Sequence, residues 1–414
     1  MKSRSLKCVV CLLIAASFLI PVSVFGGSAA GKARAEKDWT IMMYWDADNS
    51  LEFCTEFAMT TWEASLPSNT NVNIVALIDI LSMDGIWIYD FVKGQRHLVA
   101  EWDEMNTSDP ATLVKFIEFS AAKFPAKKTM LVLQDHGYGW RGICQDETNG
   151  DVLMSMDGIG AALRNVKASM GRPIDLLAFD ACNMASLEGI YELRGAVNYV
   201  VGSETMVPFD GLPYEMFISD LVANPDLGAA DLAKNIVNEY VLYYSSKWDY
   251  EHIMTYSQDF ATMVAIDMSK MDEVGNAFGQ FASVLKPIIP DHMKQVAAAR
   301  GYALVGTWTN MAGYEWMPDV YTFAEGLRSI SGHPELTAAI DAFEKAFDES
   351  VLAQANSKKY HDTVHGLNFW FPPSLAQYNM MGYGWAQQFV YEGSGLDIVS
   401  ESAWYDCLMA YYSA

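Results

Sequence analysis

Positive charge is scarce in this chain: 27 Lys and Arg stand against 51 Asp and Glu, a formal net charge of −24. Phosphates would be repelled by such a surface, which argues against a nucleic-acid or anionic-membrane partner and suits attraction of basic peptides. Cysteine is scarce as well, with six in 414 residues. Two of these, Cys8 and Cys11, fall in an N-terminal leader, leaving Cys54, Cys144, Cys182 and Cys407. Four thiols in a chain of this size do not make a disulfide scaffold, so core burial must stabilise it. A Cys54 to Cys407 bridge is left open by the sequence. Internal repeats and low-complexity runs are lacking, whereas apolar residues make up 51% and aromatics 13%, enough for a sizeable core.

The leader has the order of a secretory signal peptide. Lys2, Arg4 and Lys7 precede an apolar run over 8–25, followed by small residues over 26–31. The run is interrupted by Pro21 and is short for a membrane span, so we expect export, cleavage between Gly26 and Ala30, and no stable membrane insertion afterwards. The expected organisation is a signal peptide over 1–30, a linker over 31–38, a catalytic domain over 39–225 and a C-terminal region over 226–414 packed upon it. Strands are expected at 39–45, 72–80, 129–134, 174–179 and 197–202, with near-continuous apolar content that suits a parallel sheet buried on both faces. A hairpin is expected at 86–92 and 98–102, and helices at 51–65 and 111–124. Beyond 225 the pattern turns helical, at 229–244, 270–285 and 335–355. Two apolar stretches there, 261–266 and 367–371, are candidates for further strands.

Two strand ends carry reactive side chains. The segment Ile174-Asp-Leu-Leu-Ala-Phe-Asp-Ala-Cys182 delivers an acid and a thiol, and Thr129-Met-Leu-Val-Leu-Gln-Asp-His136-Gly-Tyr-Gly-Trp140 delivers a histidine. Open α/β folds place their chemistry at the carboxyl ends of strands. The stretch between them carries Ile159, Leu163, Val166 and Met170 on one helical stripe, as a crossover between adjacent parallel strands requires. Residues 183–193 read as a helix, which would put Cys182 at a positive helix end that favours thiolate. The backbone N–H groups of Gly137 and Cys182 are then candidate donors to a developing oxyanion.

These residues resemble the clostripain-like cysteine peptidases, which share the caspase-like fold with gingipains, legumains and caspases. The likeness rests on His136-Gly-Tyr-Gly-Trp140, Phe179-Asp-Ala-Cys182-Asn-Met, Gly202-Ser-Glu204, Asp210-Gly-Leu-Pro-Tyr214, Asp319-Val-Tyr-Thr-Phe-Ala324 and His365-Gly-Leu-Asn-Phe-Trp-Phe-Pro372. It implies a three-layer α/β/α sandwich with a mostly parallel central sheet and a mainly helical C-terminal region. It also implies a secreted endopeptidase cleaving after Arg or Lys, with Cys182 as nucleophile, His136 protonating the leaving amine, no third catalytic member, and Asp180 and Asp210 as acids of the specificity pocket. A guanidinium pairs best with carboxylates, which supports that last transfer independently. One departure concerns maturation: relatives are often cut in the loop after the histidine, yet here no Lys or Arg lies between Arg141 and Arg164. Tyr138 stands where many relatives carry a smaller residue, and either narrows or caps the cleft.

The alternative reading is a catalytically silent caspase-like protein that binds basic peptides in an acidic cleft. No cofactor is required for thiol hydrolysis. Calcium remains open, with no ligand set assigned: Asp46, Asp48, Asn49 and Glu52 crowd one strand-end loop, but such a cluster more often caps a helix, here one near Ser50. His361 and His365 have metal-pair spacing without a metalloprotease pattern, so they are read as surface or packing residues, and the tryptophans after residue 300 are read as core.

Overall fold

The computed structural model describes residues 34–65, 70–246, 261–304, 316–356, 362–379 and 390–414. The leader, His361, Trp308 and Trp385 lie outside the described residues. The described residues form eleven strands: β1 (Lys37–Ala47), β2 (Val72–Ile80), β3 (Ile86–Val92), β4 (Gln95–Trp102), β5 (Ala126–Gln134), β6 (Gly142–Asp146), β7 (Val152–Ser155), β8 (Ile174–Asp180), β9 (Val197–Gly202), β10 (Thr262–Asp267) and β11 (Val351–Asn356). Nine of them form one sheet in the order β11-β10-β9-β8-β5-β1-β2-β3-β4. From β9 to β2 every pairing is parallel, and the additions at both edges are antiparallel.

Side-chain alternation explains why these strands are apolar throughout. Met42, Tyr44, Leu131, Leu133, Leu177 and Phe179 enter the core on one face, while Ile41, Met43, Met130, Val132, Leu176 and Ala178 enter the core on the other. Helices α1 (Thr55–Ser65), α5 (Tyr214–Ala223) and α6 (Ala229–Ser246) cover the second face, the first of them through Trp62, which is fully buried. Helices α2 (Pro110–Lys123), α3 (Met156–Met170) and α4 (Leu187–Glu192), together with the C-terminal helices Met271–Leu285 and Pro334–Ser350, cover the first. The result is the expected α/β/α sandwich with a mixed, mostly parallel sheet.

Several local differences from the sequence reading have physical causes. The helix expected to run to 355 stops at Ser350, and Val351–Asn356 pairs with β10 as an edge strand. The stretch 367–371 contributes isolated bridges through Asn368 rather than a strand. The loop after His136 is a small hairpin, β6 with β7. Cys54 and Cys407 do not bridge: both are free thiols, buried in core clusters on opposite faces of the sheet. Trp316, Trp370 and Trp404 are buried, as core tryptophans should be.

Candidate active site

The ends of β5 and β8 place the reactive residues. These strands are parallel neighbours with Gln134 opposite Asp180, so His136 and Cys182 each follow that rung by two residues. The crossover between them runs through β6, β7 and α3, whose Ile159, Leu163 and Val166 are fully buried as the stripe requires. The two loops abut. A Cβ added at Gly137 would come within 2.9 Å of both the Cys182 backbone nitrogen and the Ala181 Cβ, so only glycine lets the histidine loop lie on the backbone of the thiol loop.

His136 and Cys182 are both half-buried. The imidazole Nε2 lies 2.9 Å from the Ser50 hydroxyl, and burial holds its pKa below the usual 6.5. Asp135 does not orient the ring. Its carboxylate accepts from the backbone N–H groups of His136 and Gln145 and, at 2.8 Å, from Asn49 Nδ2.

The thiol differs from the sequence expectation. Cys182 and Asn183 lie in a turn, and α4 begins only at Leu187 with Ser186 as its N-cap, so the macrodipole of a long helix does not act on the sulfur. The Asn183 and Ala185 amides are already spent on Thr205 and Ser203 carbonyls at 2.8 and 3.0 Å. Burial instead pushes the Cys182 thiol up to about 11, against the lowering effect of the Val207 N–H that donates to Sγ at 3.3 Å. Cys182 is therefore a neutral thiol at pH 7, and the His136 imidazole is neutral there as well.

Asp180 lies against Gly211, the residue that follows Asp210. Asp180 is 4% exposed, and its Oδ2 accepts from the Tyr214 hydroxyl at 2.6 Å. Gly211, at φ +69°, presses its Cα face on that carboxylate, where an added Cβ would sit 2.8 Å from Oδ1. Burial raises Asp180 to about 6, partly offset by the Tyr214 hydroxyl and the Leu212 amide. Asp210 is half-buried, with the Tyr243 hydroxyl at 3.2 Å from Oδ2. Tyr138 is tied down by its hydroxyl, which donates to Gln145 Oε1 at 2.6 Å.

The C-terminal motifs converge on the same loops. The Asn368 backbone bonds Ala185 and Leu187 at 2.9 and 2.7 Å, its side-chain amide donates to the Glu204 carbonyl at 3.0 Å, and the Gly366 N–H reaches Glu204 Oε1. Asp319 takes the His365 N–H at 2.8 Å, and the His365 ring stacks on Tyr321 at 4.5 Å. His365 is thus a packing residue. Sequence reasoning missed Ser50 and Val207, which touch the imidazole and the sulfur, because neither lies in a motif that carries chemistry by itself.

The model of the clostripain family matches residues 43–409. The chain belongs to the clostripain family. It is a family of cysteine peptidases, as the motifs implied. Clostripain from Hathewaya histolytica is 26% identical over 221 residues, an alignment spanning 44% of this chain and 42% of that protein. The match thus covers less than half the length of that curated relative. A secreted C11 cysteine protease from Bacteroides thetaiotaomicron, solved with an irreversible peptide inhibitor, gives a TM-score of 0.64 at 19% identity, covering 89% of this chain and 99% of that one. An inactive zymogen C11 protease from Parabacteroides distasonis gives 0.62 at 17% identity, covering 88% and 100%. Both likenesses establish the fold of this clostripain-family chain. Among the described residues, no helix is long and apolar enough to cross a membrane.

Proposed function

We propose that this chain is an exported cysteine endopeptidase that cleaves peptide bonds after Arg, and secondarily Lys, through Cys182 and His136. The observation that carries this reading is the seating of the His136-Gly137 loop on the backbone of Cys182, at the ends of adjacent parallel strands. Because thiol and imidazole are both neutral at pH 7, the imidazole takes the thiol proton as Sγ attacks the carbonyl carbon. The C–N bond then breaks, the same proton passes to the leaving amine, and an acyl-thioester remains. Water attacks that thioester, releasing the acid and restoring the thiol. The Gly137 and Cys182 backbone amides serve as oxyanion donors in this scheme.

Specificity follows from the acidic wall. An incoming guanidinium pairs with Asp210 at the rim and Asp180 behind it, while an acidic or apolar side chain leaves both charges unpaired. Export is supported by the signal-peptide order of residues 1–30. The deciding experiment compares wild type and Cys182→Ala on arginyl amide substrates, with an arginyl ketone probe read by intact mass. Turnover and labelling at Cys182 are expected to vanish together in a variant with unchanged circular dichroism. Reversible peptide binding by wild type without labelling would instead identify a silent binding protein.

A further inference from the structure

Two exposed phenylalanines stand on the segments that flank the reactive residues. Phe53 is 65% exposed and Phe209 46%, and their rings meet edge to face with centroids 5.1 Å apart. Single exposed apolar side chains are ordinary on a protein surface. Two large rings that pack on each other in water, from distant parts of the chain, form a patch that a partner can cover.

The backbone holds each ring outward. Around Phe53, the Cys54 amide donates to the Leu51 carbonyl at 2.9 Å, and Leu51 and Cys54 are the buried residues of that turn, so the ring between them is left to solvent. Around Phe209, the Gly211 amide donates to the Pro208 carbonyl at 2.8 Å, closing a turn with Phe209 and Asp210 at its two central positions. Gly211 takes the left-handed conformation that lets the chain leave this turn toward buried Leu212. An apolar ring and a carboxylate are thus neighbours on one turn. Both segments also touch the reacting groups. Three residues before Phe53, the Ser50 hydroxyl lies 2.9 Å from His136 Nε2, and two residues before Phe209, the Val207 amide donates to Cys182 Sγ at 3.3 Å. The ring pair therefore joins the segment on the imidazole to the segment on the sulfur.

We propose that Phe53 and Phe209 form an apolar subsite, which takes a leucine-like or phenylalanine-like side chain next to the basic residue of the peptide substrate. The inference rests on the arginyl-peptidase reading above and adds a second specificity to it. Successive residues of an extended peptide stand about 3.3–3.6 Å apart, so a substrate whose basic side chain pairs with Asp210 carries a neighbouring side chain to the adjoining Phe209. The occupant is substrate rather than a second copy of this chain, because the patch is continuous with the segments on Sγ and Nε2. A net charge of −24 also opposes the meeting of two such faces. The same charge disfavours acidic residues at every substrate position, so the informative comparison is between neutral side chains.

The test is digestion, by the mature chain, of peptides with a single Arg flanked by Leu, Phe or Ser at one position at a time, with rates read by mass spectrometry. At one flanking position Leu and Phe should exceed Ser in kcat/KM by about fivefold or more. Phe53→Ala and Phe209→Ala should each bring that ratio toward one, and Phe209→Leu should keep most of it. A wild-type ratio near one at every position overturns the proposal. So does an equal fall on all peptides in the variants with the ratio intact, which marks a structural role. Concentration-dependent dimerisation of wild type that disappears in the same variants, with the ratio near one, assigns the patch to a second copy and overturns it as well. No turnover of any peptide by wild type sinks the peptidase reading itself, and the subsite with it.

Discussion

Gln134 and Asp180 face each other across β5 and β8, and that single rung carries His136 and Cys182, two residues further on, to the same level. Neither strand brings the pair together by its own propensity. The register does, because parallel neighbours of equal rise carry their ends to the same level. The close approach then depends on Gly137.

Gly137→Ala should therefore be among the most damaging small changes in the chain. Its Cβ would press on the Cys182 nitrogen at 2.9 Å and on the Cys182 carbonyl oxygen, both backbone atoms that cannot rotate away. We expect activity to fall by at least about a hundredfold, as misplaced catalytic groups typically cost. Calorimetry should show that the fold is retained with a lower Tm. Wild-type kcat/KM in this variant would refute the contact.

The protonation states predict the pH profile. Burial holds His136 below 6.5, so the imidazole is neutral at pH 7 and becomes charged only as pH falls through its depressed value. A charged ring cannot accept the thiol proton, so the acid limb of kcat/KM should lie below pH 6.5. The linkage sign agrees: this group contributes stability that is present above 6.5 and is lost as pH falls. On the alkaline side Cys182 keeps its proton to about 11. Iodoacetamide alkylation should accordingly rise about tenfold per pH unit through the alkaline range. A plateau at neutral pH would reveal a thiolate and contradict the arrangement.

Ser50 is the side chain seen on His136 Nε2, at 2.9 Å. Ser50→Ala removes one neutral hydrogen bond at an exposed position, a loss of about 0.5–1.5 kcal/mol. If the serine positions the ring, kcat should drop about two- to tenfold with KM unchanged. A change confined to KM would place Ser50 in substrate binding instead.

Much of this arrangement was legible because strand patterning and motif order both report burial. The strands at 72–80 and 197–202 match β2 and β9, since continuous apolar runs between turns have few other homes. What the sequence hid is three-dimensional. Val351–Asn356 reads as helix because Ala and Gln favour it, yet pairing with β10 overrides propensity. The helix inferred after Cys182 fails because residues 183–186 spend their backbone on Ser203, Thr205 and Asn368 instead of on each other.

Asp180 and Asp210, the two acids proposed for the pocket, should not behave alike. Asp210 is half-buried and accepts from the Tyr243 hydroxyl at 3.2 Å, so Asp210→Asn should cost kcat/KM on Arg substrates about 2–4 kcal/mol and leave uncharged substrates nearly unaffected. Asp180 is locked by Tyr214 at 2.6 Å and by the close Gly211, so Asp180→Asn should also lower Tm. Its carboxyl is raised by burial to about 6 from 3.8. The native state therefore holds a proton there that the unfolded chain has lost. The stability this contributes is fully present below 3.8 and is lost as pH rises through about 6. Substrate binding runs the other way, because only the ionised form attracts the cation. KM for an arginyl amide should fall as pH rises from 5 to 7, and that fall should disappear in Asp180→Asn. A KM that is flat across this range in wild type would remove Asp180 from the pocket, leaving Asp210 to select the basic side chain alone.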